Sequence, residues 1–416
     1  MTKVDRDAGN GLDSVDIFDR ELLANPYPFY DRLRREAPVW QVPGVDLFYV
    51  STWACVAEAA ARFEDFSNNL TALVVANPDG RPSLFDTSAL GPATTTFSTS
   101  DPPVHSVHRK AVFPELVARQ MALMEPVIRS AVDERLRAAT RGPSVEWTAA
   151  VANPVPMIAI AKVIGFPSED HASLVKWAFD GTELLAGKTL EEMAGLVASA
   201  NAAAAYFAER FDEALAAPRD DVLGAVARAV SSGVLTRDDA IGTLVILESA
   251  GSESTASLIG NAVHILAEDA SLQDKLRKDP SLIPTFVEEA VRLESPFRGH
   301  YRRARRDTDL GGVTIPSGAT VFLLWASANR DPAEFDHPDE VVLDRPQPRA
   351  HIGFGRGIHF CVGAPLARLE ANVALQMLLE RTSSFRLDPA QPPAYVKSVF
   401  IRRHEHLHLL VDWATG

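Results

Sequence analysis

Cys361 is the residue whose setting most constrains its chemistry. It sits in His351–Ile352–Gly353–Phe354–Gly355–Arg356–Gly357–Ile358–His359–Phe360–Cys361–Val362–Gly363–Ala364–Pro365, ahead of the helical run LARLEANVALQMLLERT. Three glycines before the cysteine permit a tight turn whose backbone N–H groups are free to point at sulfur. Pro365 suits the first turn of a helix, where its missing N–H costs nothing. Cys361 is thus expected at a helix N-terminus, where dipole and N–H groups favour the thiolate. A thiolate held this way is a nucleophile or a metal ligand. A merely structural cysteine would leave the glycines unexplained.

Further groups recur at spacings that could do chemistry. Glu289 and Arg292 in Phe286–Val287–Glu288–Glu289–Ala290–Val291–Arg292 share one helix face, although Glu134 and Arg137 have the same spacing without special meaning. His105 and Arg109, four apart, can turn to one anionic group. Ala250–Gly251–Ser252–Glu253–Ser254–Thr255 places an acid beside two alcohols in the middle of a helical stretch. His404, His406 and His408 alternate and would share one strand face; zinc is conceivable there, a plain polar face the favoured reading.

The pattern Phe354–Gly355–x–Gly357–x–His359–x–Cys361–x–Gly363 resembles the haem-binding signature of the cytochrome P450 family. The resemblance runs from about residue 25 to the C-terminus. It implies a mainly α fold with small β-sheets, haem b lying between a long distal helix and a proximal Cys-loop helix, and Cys361 as the iron ligand. It also implies His359, His105, Arg109 and Arg302 at the haem propionates and Phe354 beside the sulfur. Gly355, Gly363, Ala250 and Gly251 would lie against the cofactor. Glu289, Arg292 and Arg345 would form a buried ion-pair network behind the haem. Glu253 matches the family's distal acid, with Ser254 where threonine is usual and Thr255 one position later; these three would serve proton delivery.

The implied activity is O2-dependent monooxygenation of a small hydrophobic molecule, with electrons from a ferredoxin and its reductase; the alternatives are an atypical member performing desaturation, coupling or peroxide-driven oxidation, and a haem-based binding or sensing protein. Substrate contacts are expected from Leu84, Phe85, Ile246, Leu247, Phe297, Arg298, Val399 and Phe400, with Arg298 and His300 serving the propionates or an acidic substrate group. Arg109, Lys110, Arg356 and Arg368 would form a basic docking patch. Strong donation from a thiolate promotes O–O cleavage, which is the reason for sulfur at this position.

The elements that must position these residues are readable in outline. Residues 27–37 and 54–63 have helical spacing, and residues 39–51 suggest a hairpin about Pro43–Gly44. Residues 70–100 look like one long loop, functional or mobile. From 104 to about 277 the pattern is helical. Within it Thr236–Arg237–Asp238–Asp239 resembles a capping box opening a helix of roughly 30 residues, about 45 Å long. Gly251 in its middle signals either close packing or a helix loosened to admit a ligand. Residues 309–325 and 396–412 read as strands. Residues 1–20 are expected as a polar tail and 21–416 as a single domain.

Composition narrows the class. The chain is 46% hydrophobic and carries a formal charge of -14, so nucleic acid is an unsuited partner. Cys55, in an apolar stretch, is expected to be a small buried hydrophobe. One cysteine beyond Cys361 supports neither a disulfide framework nor an iron–sulfur cluster. The polar N-terminus and the absence of an 18-residue apolar run predict a cytoplasmic monomer without a membrane anchor.

Overall fold

The computed structural model describes residues 11–90, 96–140, 142–217 and 219–414. Its centre is the 32-residue helix Arg237–Glu268. Thr236 caps it through a reciprocal pair, its side chain accepting from Asp239 N while the Asp239 carboxylate accepts from Thr236 N. The helix runs unbroken through Gly251. A Cβ on that residue would lie 2.8 Å from Ile160 Cγ1, so the glycine serves close packing against helix Pro154–Ile164 and not a local loosening. Helices His171–Glu183, Leu190–Ala216, Ile283–Leu293 and Ala364–Arg381 also pack against the long helix. It is therefore buried on most sides, like the interior helix of any large α core. None of the described helices is long and apolar enough to cross a membrane.

Small sheets complete the fold. Val39–Gln41 and Leu47–Val50 pair antiparallel as the expected hairpin. They continue through Thr320–Leu323, His300–Ala304 and Phe66–Ser67 into a five-stranded sheet. The strands on either side of the Pro316 turn join different sheets: Val313–Ile315 pairs only with Thr308–Leu310, whereas Thr320–Leu323 enters the large one. Residues 70–100 are not one long loop. Ala72–Ala76 and Pro82–Asp86 form a hairpin, and Val74 and Val75 are buried, which compensates for its short length. Residues 91–95 of that stretch lie outside the described residues, as do 1–10 of the expected tail.

Candidate active site

The long helix and the Cys361 loop face each other across a largely apolar cavity that opens to solvent. Ile246, Leu247, Ala250, Gly251, Ser254, Thr255 and Leu258 line it at helical spacing, one stripe of the long helix. The opposite wall is Gly353–Phe354–Gly355–Arg356 with His359–Phe360–Cys361–Val362–Gly363, Leu366 and Ala367.

Gly355 and Gly357 take φ of 73° and 70°, left-handed conformations that favour glycine. Their turn lets Cys361 N donate to Phe354 O at 2.9 Å. Helix Ala364–Arg381 follows with Gly363 as its cap. The helix terminus does not by itself secure the thiolate. Burial pushes the Cys361 thiol up, against the opposing N–H groups of Gly363 and Ala364 and the guanidinium groups of Arg109 and Arg368. A cation seated against the sulfur would reverse that balance.

Arg302 is buried, donates through Nη1 to Tyr301 O at 2.8 Å, and has no carboxylate partner among the described residues. Desolvation lowers its pKa to about 10. Arg109 Nη2 donates to Phe360 O at 2.7 Å. His105 and His359 lie with ring centroids 4.3 Å apart, and His359 Nε2 is buried without a partner. Burial drops the pKa of His359 and of His300 to about 3, so both are neutral. Trp325 Nε1 donates to His300 Nδ1 at 2.7 Å, which leaves the His300 proton on Nε2. A buried guanidinium, a half-buried one and neutral imidazoles, none of them ion-paired within 4.0 Å among the described residues although Asp101 lies near enough to act on Arg302, fit a cofactor bearing carboxylates on one edge. A thiol below the same cavity fits an axial metal ligand. The donor set therefore suits haem.

The expected network is present. Glu289 accepts from Arg292 Nε at 2.8 Å and Nη2 at 2.9 Å, from Arg345 Nε at 2.9 Å, and from Val342 N at 2.9 Å. Arg292 also donates to the carbonyls of Asn329, Pro338 and Glu340. It thereby pins the meander before the Cys361 loop. Sequence reasoning missed the neighbour, Glu288. This residue accepts from Arg368 Nε at 2.6 Å and pairs with His351 Nε2 at 3.0 Å. Burial opposes its ionisation, yet His351 and Arg368 hold its pKa at about 2. Arg368 also lies 4.4 Å over the Phe354 ring. Glu288 thus ties both ends of the cysteine loop to one helix, and only its place beside Glu289 hinted at this.

The structure turns several of the singled-out residues away from the cavity. Glu253 does not line the cavity; it is fully buried, accepts from Arg403 Nε at 2.8 Å and bonds Thr182 Oγ1. Burial nonetheless raises its pKa to about 7, against Arg403 and Thr182. One step along a helix turns a side chain about 100°, so Glu253 faces away while Ser254 lines the cavity. Thr255 lines it as well. Ser254 Oγ donates back to Ala250 O at 2.6 Å.

Of the eight expected pocket residues, Ile246, Leu247 and Phe297 line the cavity. Leu84, Val399 and Phe400 pack into a separate core with Tyr49 and Tyr301, and Phe85 packs against Leu73, Val75 and Met193. Arg298 is fully buried and donates to the carbonyls of Leu23 and Ile401; it reaches neither substrate space nor cofactor edge. Asn68, Ile160 and Trp325 line the cavity without having been foreseen. They come from separate elements, and nothing in their local sequence marks them. Arg368, held by Glu288, is no free member of a docking patch.

The sequence profile described as Cytochrome P450 matches residues 184–406. The chain is 42% identical over 403 residues to cytochrome P450 144 of Mycobacterium tuberculosis, covering 96% of this chain and 92% of that protein. It is 35% identical to cytochrome P450 109 of Bacillus spizizenii, over 86% of this chain and 84% of that one. Among solved structures it resembles P450BioI in complex with an acyl carrier protein ligated to hexadec-9Z-enoic acid, with a TM-score of 0.83 at 30% identity, covering 94% and 99% of the two chains. CYP109E1 from Bacillus megaterium, solved with testosterone, gives 0.84 at 28%, over 94% and 99%. A thiol at the cavity wall, guanidinium groups without ion-pair partners at its edge among the described residues, and these relatives agree: the chain belongs to the cytochrome P450 family of haem b monooxygenases.

Proposed function

We propose that this monooxygenase oxidises a small, mostly hydrophobic organic molecule, with Cys361 as the residue that would hold the haem iron and a ferredoxin-type protein as electron donor. The supporting observation is the cavity itself, which has a thiol on one wall and Phe97, Ile160, Ile246, Leu247 and Phe297 on others. Bound haem with a thiolate ligand supplies the activation of O2 for insertion of one oxygen atom. The protein's own residues supply the rest. Arg302, Arg109, His105, His359 and the Nε2 proton of His300 would fix the propionate edge. The apolar side chains of the long helix would exclude water and orient substrate. Ser254 Oγ, held by Ala250 O, would present a hydroxyl to the cavity, with Thr255 beside it. Glu253, whose carboxyl titrates near neutrality, would hold a proton behind that pair.

For electron entry, Lys110 and Arg356 are exposed beside the cysteine loop, and Arg356 lies 5.1 Å over Trp53. On a chain of net charge -14, a local basic patch would steer an acidic carrier. Arg356→Glu should slow reduction by ferredoxin in a salt-sensitive way.

The reading is tested on reduced, carbon-monoxide-treated protein, which should show the red-shifted Soret band of thiolate ligation. Cys361→Ala should abolish that band. Substrates are then found by screening for a low- to high-spin shift, and turnover is compared with ferredoxin plus NAD(P)H against peroxide alone. Wild-type protein lacking the red-shifted band, or turnover supported by peroxide only, would overturn the proposal.

A further inference from the structure

Outside the haem cavity, three potential ligands converge where the C-terminal strands meet Ser144–Glu146. His408 stands directly opposite Glu146 in the antiparallel pairing of His408–Trp413 with Ser144–Glu146, a position in which facing side chains touch. His406, two residues earlier, lies with its ring centroid 6.1 Å from that of His408. Between them Leu407 is fully buried, so alternation sends both histidines to the opposite face. One ligand atom from each of Glu146, His406 and His408 lies within 4.8 Å of the other two. His404, expected on the same face, is buried instead, with Nε2 2.7 Å from His264 Nδ1. The chain changes strand partners at Leu407, which breaks the register that would have aligned all three.

We propose that Glu146, His406 and His408 form a site for a borderline divalent transition ion, zinc being the reference, that clamps the C-terminal strands to Ser144–Glu146. Two imidazoles and one carboxylate are the donors such an ion takes, with water completing the coordination. Tetrahedral bonds of 2.0–2.1 Å place ligand atoms about 3.4 Å apart. Closing from the observed spacing needs each side chain to move inward by less than about 1 Å, and exposed His406 is free to do so. Neither histidine ring is engaged by a hydrogen bond among the described residues.

The carboxylate is already oriented as a ligand requires. Glu146 Oε1 accepts from Thr148 Oγ1 at 2.5 Å, Leu407 N at 2.9 Å and Thr148 N at 3.3 Å, and Oε2 accepts from Ala149 N at 2.7 Å. Oε2 keeps a lone pair for metal. Hydrogen-bonded carboxylates of this kind are usual behind metal sites. The bond from Trp147 N to Leu407 O, at 2.8 Å, locks the same two segments.

The test uses the haem-loaded enzyme, stripped with chelator and titrated with zinc against a chromophoric competitor. One equivalent should bind, with affinity falling at least about tenfold in His408→Ala and in His406→Ala, while the carbon monoxide spectrum stays unchanged. In wild-type protein, zinc should also shield His406 and His408 from diethyl pyrocarbonate, read by peptide mass spectrometry. That arm does not depend on whether the variants fold. Lack of a saturable equivalent, equal affinity in the variants, or labelling of both histidines undiminished by zinc would each overturn the site.

Discussion

Replacing Glu289 by Gln tests whether the network behind the cysteine loop carries the mechanical role assigned to it. Arg292 and Glu289 side chains are 0% exposed and that of Arg345 is 8%, so the substitution leaves two guanidinium groups facing one neutral amide. Removing one partner of a buried pair costs about 3–5 kcal/mol, mostly because the remaining charge is uncompensated. At roughly 2.1 cal/mol/K per residue, unfolding a chain of this length carries about 0.9 kcal/mol/K of entropy. The expected loss in Tm is therefore about 3–6 °C. Arg292 pins the meander that leads to Cys361, so haem should also leave the variant faster. Glu125→Gln breaks a pair whose partners are 39% and 45% exposed and should cost less than about 1 kcal/mol. Calorimetry of both variants, with haem transfer to an acceptor apoprotein, decides the matter. Equal, small shifts in Tm with unchanged haem release would refute the reasoning.

Three other outcomes follow from the same geometry. Because burial lifts the Glu253 pKa from 4.5 to about 7, the folded state holds an extra proton, so stability should fall by about 3 kcal/mol as pH rises from about 4.5 through 7; Glu253→Gln should flatten that slope in denaturant titrations. Gly251→Ala should destabilise, because its Cβ meets Ile160, and the same change made on Ile160→Ala should stabilise by up to about 1 kcal/mol through helix propensity; additive shifts in Tm would contradict the close-packing account. Arg302→Leu should leave the haem-free protein as stable or more so, since a buried cation without an ion pair is removed, yet lower the haem content of purified protein. Equal haem retention would detach Arg302 from the propionates.

The site was legible wherever chemistry is local. The glycine turn, cysteine and helix cap of residues 353–365 are consecutive, so their arrangement follows from φ preferences and capping that neighbours alone dictate. Likewise Thr236 and Asp239 open the long helix, and its cavity stripe from Ile246 to Leu258 follows from helical periodicity. Residues 70–100 were not legible as a hairpin, because so short a strand pair becomes stable only when its valines find a surface to bury against.

Tertiary structure decided everything that depends on which way a side chain turns once distant segments meet. The step of about 100° between Glu253 and Ser254 is common to any helix. That Arg403 and Thr182, 150 and 71 residues away, would draw the acid out of the cavity was not legible in the sequence. Arg298 was expected at the substrate pocket, serving the propionates or an acidic substrate group, and is instead bound by the carbonyls of Leu23 and Ile401. Glu288 acquired its role only when His351 and Arg368 folded onto it. Sequence alone thus pointed to the Cys361 loop, the haem cofactor and the central helix, since these rest on contacts within a turn or two of chain. The lining, the proton-holding acid and the Glu146–His406–His408 cluster rest on contacts between remote segments, whose energies no local pattern records.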